Sequence, residues 1–123
     1  MNERDPLTGR IIRCAIELHR GVGCGLLERV YRRGLAIEFR HHGINYEAER
    51  RIEIKWRGIA LGVFIPDFII EDEVVLEVKS ASAHDRVFDA QILTYMRLTG
   101  RTKGLLLNFG RPTLTEGVKR FVL

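Results

Sequence analysis

The amino-acid sequence predicts an α/β fold in which helices flank a mixed central β-sheet. Two stretches of helical apolar spacing open the chain, and a long segment in which apolar and polar residues alternate follows them. A third helical stretch then separates two strand-like segments. It favours one parallel pair of strands, whereas the consecutive strands before it favour antiparallel hairpins. The predicted order is α-α-β-β-β-α-β-β, and at 123 residues the chain has the size of one domain, residues 1–123.

The first two elements are predicted as helices. The first runs from about Leu7 to His19, with Asp5 or Thr8 as the residue that caps its N-terminus. The second runs from about Leu26 to His42 and ends before Gly43, a residue type that commonly follows a helix. The apolar residues of the second segment fall on one stripe, as in an amphipathic helix.

The strand-like segments follow the second helix. Apolar residues between Ile44 and Trp56 alternate with polar ones, as in a half-buried strand. A second strand is predicted from about Ile59 to Ile70, after a turn at Arg57-Gly58. A third strand is predicted at Val74–Lys79, after a turn at residues 71–73.

The last part of the chain is predicted to hold one helix and two strands. The helix begins at His84 or Asp85 and runs to about Leu98. A buried strand follows at Lys103–Asn108, and a last strand-like piece lies within Thr113–Leu123. The helix is therefore the crossover between two strands of the predicted sheet.

Composition and charge exclude several classes of protein. Hydrophobic residues make up 46% and charged residues 29% of the chain, which is typical of a folded globular protein and not of a disordered or fibrous one. The length leaves no room for a separate cofactor domain. The net charge of +4 favours polyanions as partners, although a basic surface that only keeps the protein in solution explains it equally well.

Two further features concern location and metal clusters. No uncharged apolar run approaches the roughly 20 residues that span a bilayer, and the N-terminus has no leader-like pattern, so we expect a cytoplasmic protein without membrane contact. The two cysteines, Cys14 and Cys24, are too few to form a tetrathiolate zinc site or to hold an iron–sulfur cluster alone. We therefore expect two reduced thiols.

The third predicted strand carries the most informative residues. If the turn before it has three residues, Ile70 pairs with Val74, and continuing that register places Asp67 opposite Glu77. Lys79 lies two residues beyond Glu77 and therefore shares its face of the sheet. A turn of two residues would shift the register by one and separate the two carboxylates.

Two carboxylates and a lysine on one face have a chemical use. Paired carboxylates are ligands for Mg²⁺ or Mn²⁺, and the backbone carbonyl of Val78 could add a third oxygen. A bound divalent ion activates water and stabilises charge on a phosphate. Lys79 could orient or deprotonate that water, or neutralise the transition state. The alternative is a cluster of salt bridges on an exposed sheet face.

Three motifs resemble those of a known family. Pro66-Asp67 followed by Glu77-Val78-Lys79 resembles the signature of the PD-(D/E)xK nuclease superfamily. Gln91 and Tyr95, four residues apart on the third helix, resemble the Q-x3-Y motif of its RecB-like branch. The segment from Gly25 through Glu28 to Tyr31 resembles the G-x-x-E-x-x-Y motif that names a family of small proteins in this superfamily. The resemblance covers about residues 7–123.

The resemblance implies a restriction-endonuclease-like core and a Mg²⁺-dependent nuclease that hydrolyses phosphodiester bonds, with DNA as the favoured substrate and Mn²⁺ as a substitute ion. It also implies no iron–sulfur cluster, because relatives with a cluster use four cysteines. The sequence departs from the family pattern at Phe88, where a histidine is common, and at Cys24, where proline is common. By position, the implied catalytic residues are Asp67, Glu77, Lys79, Gln91 and Tyr95, and the implied metal ligands are Glu28, Asp67, Glu77 and the Val78 carbonyl.

Basic residues around these motifs are candidates for binding nucleic acid. Arg29, Arg32 and Arg33 flank Glu28, which without the resemblance is best explained as an exposed helix residue paired with Arg32. Arg97 and Arg101 follow the Gln91 helix. No pattern indicates recognition of base edges, so we expect recognition of shape or of ends. Trp56 is interpreted as sheet packing, although it could stack on a base.

Two other functions remain open from the sequence. One is a non-catalytic module of the same fold that binds nucleic acid or regulates a partner. The other is a structural protein whose acidic residues only form salt bridges. A homodimer is a further hypothesis, because one copy of a core this small has little surface with which to grip a duplex.

Overall fold

The computed structural model describes residues 5–123. It contains three α-helices, seven strands and one 3₁₀ turn in those residues. In chain order they are α1 (Pro6–Val22), α2 (Glu28–His41), β1 (Tyr46–Ala48), β2 (Ile52–Trp56), β3 (Ile59–Phe64), β4 (Phe68–Ile70), β5 (Val74–Lys79), α3 (Arg86–Thr99), β6 (Lys103–Asn108), the 3₁₀ turn (Leu114–Gly117) and β7 (Val118–Val122).

The central sheet is mixed, which confirms the predicted fold class. Its five strands lie in the order β1-β4-β5-β6-β7. The pair β5–β6, which α3 connects, is parallel, and the other three pairs are antiparallel. One face packs against α1 and α2 through residues such as Ile11, Leu35 and Leu76, and the opposite face packs against α3 through Ile92 and Met96.

The helix ends follow local chemistry that the sequence predicted. Asp5 caps α1, because its side chain accepts a hydrogen bond from the backbone N–H of Leu7 at 3.2 Å. Asp85 caps α3 in the same way, accepting from Val87 at 2.9 Å. At the other end of α3, Gly100 adopts the left-handed conformation with φ of 70° that closes many helices.

Two of the predicted strands are wrong, because each of them is divided. The segment 44–56 forms β1 in the central sheet and β2 outside it, and Glu49, at φ 62°, turns the chain between them. The segment 59–70 forms β3 and β4, separated by three residues that include Pro66, which lacks a backbone N–H for a sheet ladder. The observed order is therefore α-α-β-β-β-β-β-α-β-β.

Strands β2 and β3 form a separate two-stranded sheet. Their turn has Arg57 at φ 50° and Gly58 at φ 79°, the pair of left-handed residues that suits a tight hairpin. The hairpin contacts the rest of the molecule near its base, where the ring of Phe64 stacks on that of Tyr95 with centroids 4.6 Å apart.

None of the helices in residues 5–123 combines the length and the apolar character needed to cross a membrane.

Candidate active site

Asp67 and Glu77 are interlocked at the point where the β4–β5 ladder ends. The predicted register is correct, since Ile70 pairs with Val74, but the ladder stops at Phe68. In its place the backbone N–H of Asp67 donates to Glu77 Oε2 at 2.9 Å, and the backbone N–H of Val78 donates to Asp67 Oδ2 at 2.8 Å. Each carboxylate therefore uses one oxygen to replace a sheet hydrogen bond.

Both carboxyl groups lie in a poorly solvated environment. Glu77 is only 8% exposed. Burial, and after it the neighbouring charge of Asp67, raises the pKa of Glu77 to about 8. Burial also raises the pKa of Asp67, although the Val78 N–H and the Arg32 guanidinium oppose that shift. The environment of the pair thus disfavours the ionised carboxylates, and a cation placed between them would favour those ionised forms.

Lys79 extends from the same face of β5 and is held by two residues of α3. Its Nζ donates to Gln91 Oε1 at 3.1 Å and lies 4.8 Å from the centroid of the Phe88 ring. The resemblance to the Q-x3-Y motif singled out Gln91, and the structure places it in contact with Lys79. Phe88 departs from the family pattern, and its contact with the ammonium group follows from the packing of α3 on β5.

Tyr95 lies on the same side of the sheet as the acids. Burial, and then the charges of Glu77 and Asp67, raises the pKa of Tyr95, so its hydroxyl stays protonated near neutral pH. Phe64 stacks on the ring and fixes its plane. Phe64 is a site residue that the sequence did not indicate, because it belongs to a hairpin whose docking position no local pattern reveals.

Glu28 approaches this group through Arg32. One nitrogen of the Arg32 guanidinium lies 3.6 Å from Glu28 Oε1 and 3.7 Å from Asp67 Oδ1. The pairing of Glu28 with Arg32, weighed from the sequence as the alternative, is thus present, and it coexists with proximity to Asp67. The two acids converge on one positive charge, without forming a compact set of metal ligands with Glu77 in the described residues.

Tyr31 fixes the loop that leads into α2. Its ring is fully buried and stacks on Phe109 at 4.2 Å. Its hydroxyl donates to the Gly23 carbonyl at 2.7 Å and accepts from the Leu26 N–H at 3.1 Å. Tyr31 thereby positions the start of α2, where Glu28 lies, which gives a physical reason for the spacing of these residues in the G-x-x-E-x-x-Y motif.

A basic groove of about 570 Å³ opens beside Asp67. It runs along α2 toward the edge strand β1, and its lining includes Asp67, Tyr46 and four arginines, namely Arg29, Arg32, Arg33 and Arg40. The first three arginines were predicted. Arg40, which also lines the groove, was not among the predicted residues, although it lies seven residues after Arg33 and so follows the same helical stripe.

Arg97 and Arg101 lie away from this groove. Arg97 is exposed in the last turn of α3. Arg101 pairs with Asp72 in the β4–β5 turn, at the opposite end of β5 from Glu77. The structure therefore does not bring these two arginines together with the other predicted site residues. Helix α3 runs antiparallel to β5, so its C-terminal end and Arg101 lie near the opposite end of β5 from Glu77.

The donor atoms suit a hard divalent cation. Oδ1 of Asp67 and Oε1 of Glu77 take no backbone hydrogen bond, and carboxylate oxygens are the ligands that Mg²⁺ and Mn²⁺ prefer. The Arg32 guanidinium already lies near Asp67, so the carboxylates of this site attract positive charge. The residues present thus fit the ion that the sequence predicted.

A second group of potential ligands lies elsewhere. Among the described residues, Glu17, Glu38 and His42 form the one trio whose ligand atoms all lie within 4.8 Å of one another. His42 Nε2 lies 3.6 Å from Glu17 and 3.8 Å from Glu38, and the group is partly exposed. These contacts are side-chain contacts between α1 and the C-terminal end of α2.

Comparison with family models matched residues 5–121 to the model described as the PD-(D/E)XK nuclease superfamily. The searches of curated proteins and of solved structures gave no significant match. The matched range contains every residue of the acid pair, the lysine contacts and the basic groove described above.

Proposed function

Because the chain belongs to the PD-(D/E)XK nuclease superfamily, we propose that it is a Mg²⁺-dependent nuclease that hydrolyses phosphodiester bonds in DNA. The observation that carries this proposal is the interlocked, buried acid pair beside a lysine held by two side chains. In the reaction a water oxygen attacks phosphorus, one bond from phosphorus to a sugar oxygen breaks, and that oxygen takes a proton. The products are a phosphate monoester and a sugar hydroxyl.

Asp67, Glu77 and the carbonyl of Val78 would hold the cation. When bound, Mg²⁺ supplies Lewis-acid stabilisation of the charge that develops on the phosphate and acidifies a water molecule, and Mn²⁺ would substitute. The two carboxylate oxygens that would bind the cation are those that accept no backbone hydrogen bond at the end of the β4–β5 ladder. Binding would therefore leave the hydrogen bonds at the strand ends intact.

Lys79 acts in this proposal as a fixed positive charge at the reacting phosphate. Its hydrogen bond to Gln91 and its position over Phe88 hold the Nζ atom in place. A positive charge held there would orient the attacking water and stabilise the charge that develops on the phosphate. Gln91 is then a positioning residue, and the Tyr95 hydroxyl is a hydrogen-bond donor on the same face.

The groove arginines would hold backbone phosphates on one side of the cut. Arg29 and Arg33 are exposed, and within residues 5–123 no acidic side chain lies within ion-pair distance of them. Arg32 is the residue that would move. If its guanidinium turns from Asp67 toward a substrate phosphate, Glu28 is released and can join the metal ligands, as the family resemblance implies.

Several finer assignments stay predictions from the sequence. They are membership of the G-x-x-E-x-x-Y family and the RecB-like branch, a cytoplasmic location, and a homodimer. A non-catalytic nucleic-acid-binding module is the second function to test, because the groove would bind phosphates whether or not the acids bind metal.

The test compares metal binding and cleavage in matched variants. Mg²⁺ and Mn²⁺ are titrated by calorimetry into wild type, Asp67→Asn and Glu77→Gln, and the same samples are incubated with labelled single-stranded DNA, duplex DNA and RNA. Asparagine and glutamine keep the oxygen that accepts the backbone hydrogen bond. Glu53→Gln, in an exposed ion pair of β2, is the control. We expect metal binding and cleavage to be lost in the first two variants and retained in the control.

Lys79 gives an independent test of the chemistry. Lys79→Gln should lower the cleavage rate by about 100-fold while metal binding persists, and Lys79→Arg should recover part of the loss because it keeps the charge. Cleavage that persists in Glu77→Gln would contradict the nuclease mechanism. Nucleic-acid binding by a folded wild type that binds no metal would favour the non-catalytic module.

A further inference from the structure

The β2–β3 hairpin has two free edges. Within residues 5–123 its strands pair only with each other, and neither outer edge has a further strand. An isolated two-stranded sheet is marginally stable in water, and additional strands stabilise it. The hairpin is therefore an incomplete sheet that extends from the folded core.

The edge formed by β3 lacks the features that normally protect an edge strand. Residues 59–64 are Ile-Ala-Leu-Gly-Val-Phe, with no charge and no proline. Ile59 is 69%, Leu61 67% and Val63 45% exposed. Natural proteins commonly place lysine, proline or a covering segment at such an edge, because an uncharged edge associates with other strands. The neighbouring strand β2 follows that rule, since it carries the exposed ion pair of Glu53 and Lys55.

We propose that β3 is the interface with a second copy of this chain. The β3 strands of two copies would pair antiparallel about a two-fold axis and join the two hairpins into one four-stranded sheet. In an antiparallel pair about a two-fold axis the residue at the axis meets its own copy, so a charge there would face a like charge. Strand β3 has no charged residue and therefore brings no like charges together. A polyanionic partner, by contrast, would find no cation on this strand.

The exposed apolar side chains of the hairpin would gain neighbours in such a pair. These side chains are Trp56, Ile59, Leu61, Val63 and Ile65, each between 45% and 69% exposed. Together they present on the order of 500 Å², near the upper end of the patch that a monomer leaves uncovered. Pairing of the two β3 strands would bury the part of this area that lies against the partner strand, since side chains opposite each other on neighbouring strands are in contact. The interface would therefore be smaller than a standard one, which buries about 800 Å² per partner.

The test is the mass in solution of the wild type and two variants. Leu61→Lys places a charge at the centre of the proposed interface. Ile37→Lys is the matched control, because Ile37 is an equally exposed apolar residue, 65% against 67%, on α2. Sedimentation velocity over a concentration series should give twice 14.2 kDa for wild type and for Ile37→Lys. Leu61→Lys should raise the Kd for dimer formation by at least about 100-fold. Circular dichroism checks that all three chains are folded.

Four results would overturn the proposal. They are a wild type that stays monomeric at the highest concentration, a dimer that Leu61→Lys does not weaken, a dimer that only Ile37→Lys weakens, and assemblies that grow beyond two copies. If a monomeric wild type binds single-stranded DNA and this binding changes the fluorescence intensity of Trp56, the hairpin would instead be assigned to nucleic-acid binding. The measurement of mass requires neither metal nor nucleic acid, so the dimer and the proposed nuclease activity are tested separately.

Discussion

Replacing Glu77 with glutamine should stabilise the metal-free protein at neutral pH while it abolishes cleavage. The pKa of Glu77 is about 8 in the folded chain, against 4.5 for an ordinary glutamate, because burial and the charge of Asp67 disfavour its ionised form. A group whose folded pKa is raised contributes its full stability below the unfolded pKa and loses it as the pH rises toward the folded pKa. The wild type should therefore lose stability between about pH 4.5 and pH 8.

The size of the effect follows from the same two pKa values. Each pH unit in this window costs about 1.4 kcal/mol, so the wild type should lose on the order of 3 kcal/mol by pH 7 relative to the protonated state. Glutamine is neutral at every pH and keeps an oxygen that accepts the Asp67 N–H. The advantage of Glu77→Gln over wild type should thus be under about 1 kcal/mol at pH 5 and several-fold larger at pH 7.

Urea denaturation in the presence of EDTA, at pH 5, 6, 7 and 8, measures this difference. Glu53→Gln serves as the control, because it makes the same substitution in an exposed ion pair. Added Mg²⁺ should then stabilise wild type and leave Glu77→Gln unchanged, since a ligand stabilises only the chain that binds it. If Glu77→Gln is less stable than wild type at pH 8, or if its advantage does not grow with pH, the electrostatic account of the acid pair is wrong.

Two further variants test the supporting parts of the site. Tyr31→Phe removes a hydroxyl that makes two backbone hydrogen bonds, so it should lower the free energy of unfolding by about 1–2 kcal/mol; unchanged stability in urea would refute its positioning role. Arg33→Ala should weaken DNA binding and reduce the slope of log affinity against log salt by about 1, measured by fluorescence anisotropy. Arg97→Ala, which lies outside the groove, should leave that slope unchanged, and equal effects of the two variants would argue against the groove as the binding surface.

The sequence was sufficient for the parts of the site that depend on local spacing. The three-residue turn set the Ile70–Val74 register, and that register brought Asp67 and Glu77 together. The four-residue spacing predicted that Gln91 and Tyr95 share a face of α3, and in the structure Gln91 contacts Lys79. These relations involve residues close in the chain, where strand and helix periods determine which side chains are neighbours.

The sequence was insufficient where the outcome depended on how distant elements pack. Alternating apolar residues between Ile44 and Trp56 indicated a strand without indicating that its two halves join different sheets. The position of Arg101 depended on the direction in which α3 returns along β5, and Arg101 lies beside Asp72 instead of at the site. The stacking of Phe64 on Tyr95 required the docked hairpin.

The hydrogen bonds that interlock the two acids also bear on how this site would change during evolution. Asp67 and Glu77 each replace a hydrogen bond at the end of the sheet, so a lineage that lost catalysis would still gain stability by keeping an acceptor oxygen at both positions. The neutral side chains of asparagine and glutamine supply that oxygen without a buried charge, whereas Lys79 contacts only the side chains of Gln91 and Phe88. Among descendants of such a chain, the two acids would therefore be replaced by their amides, and carboxyl groups kept at both positions would mark retained activity.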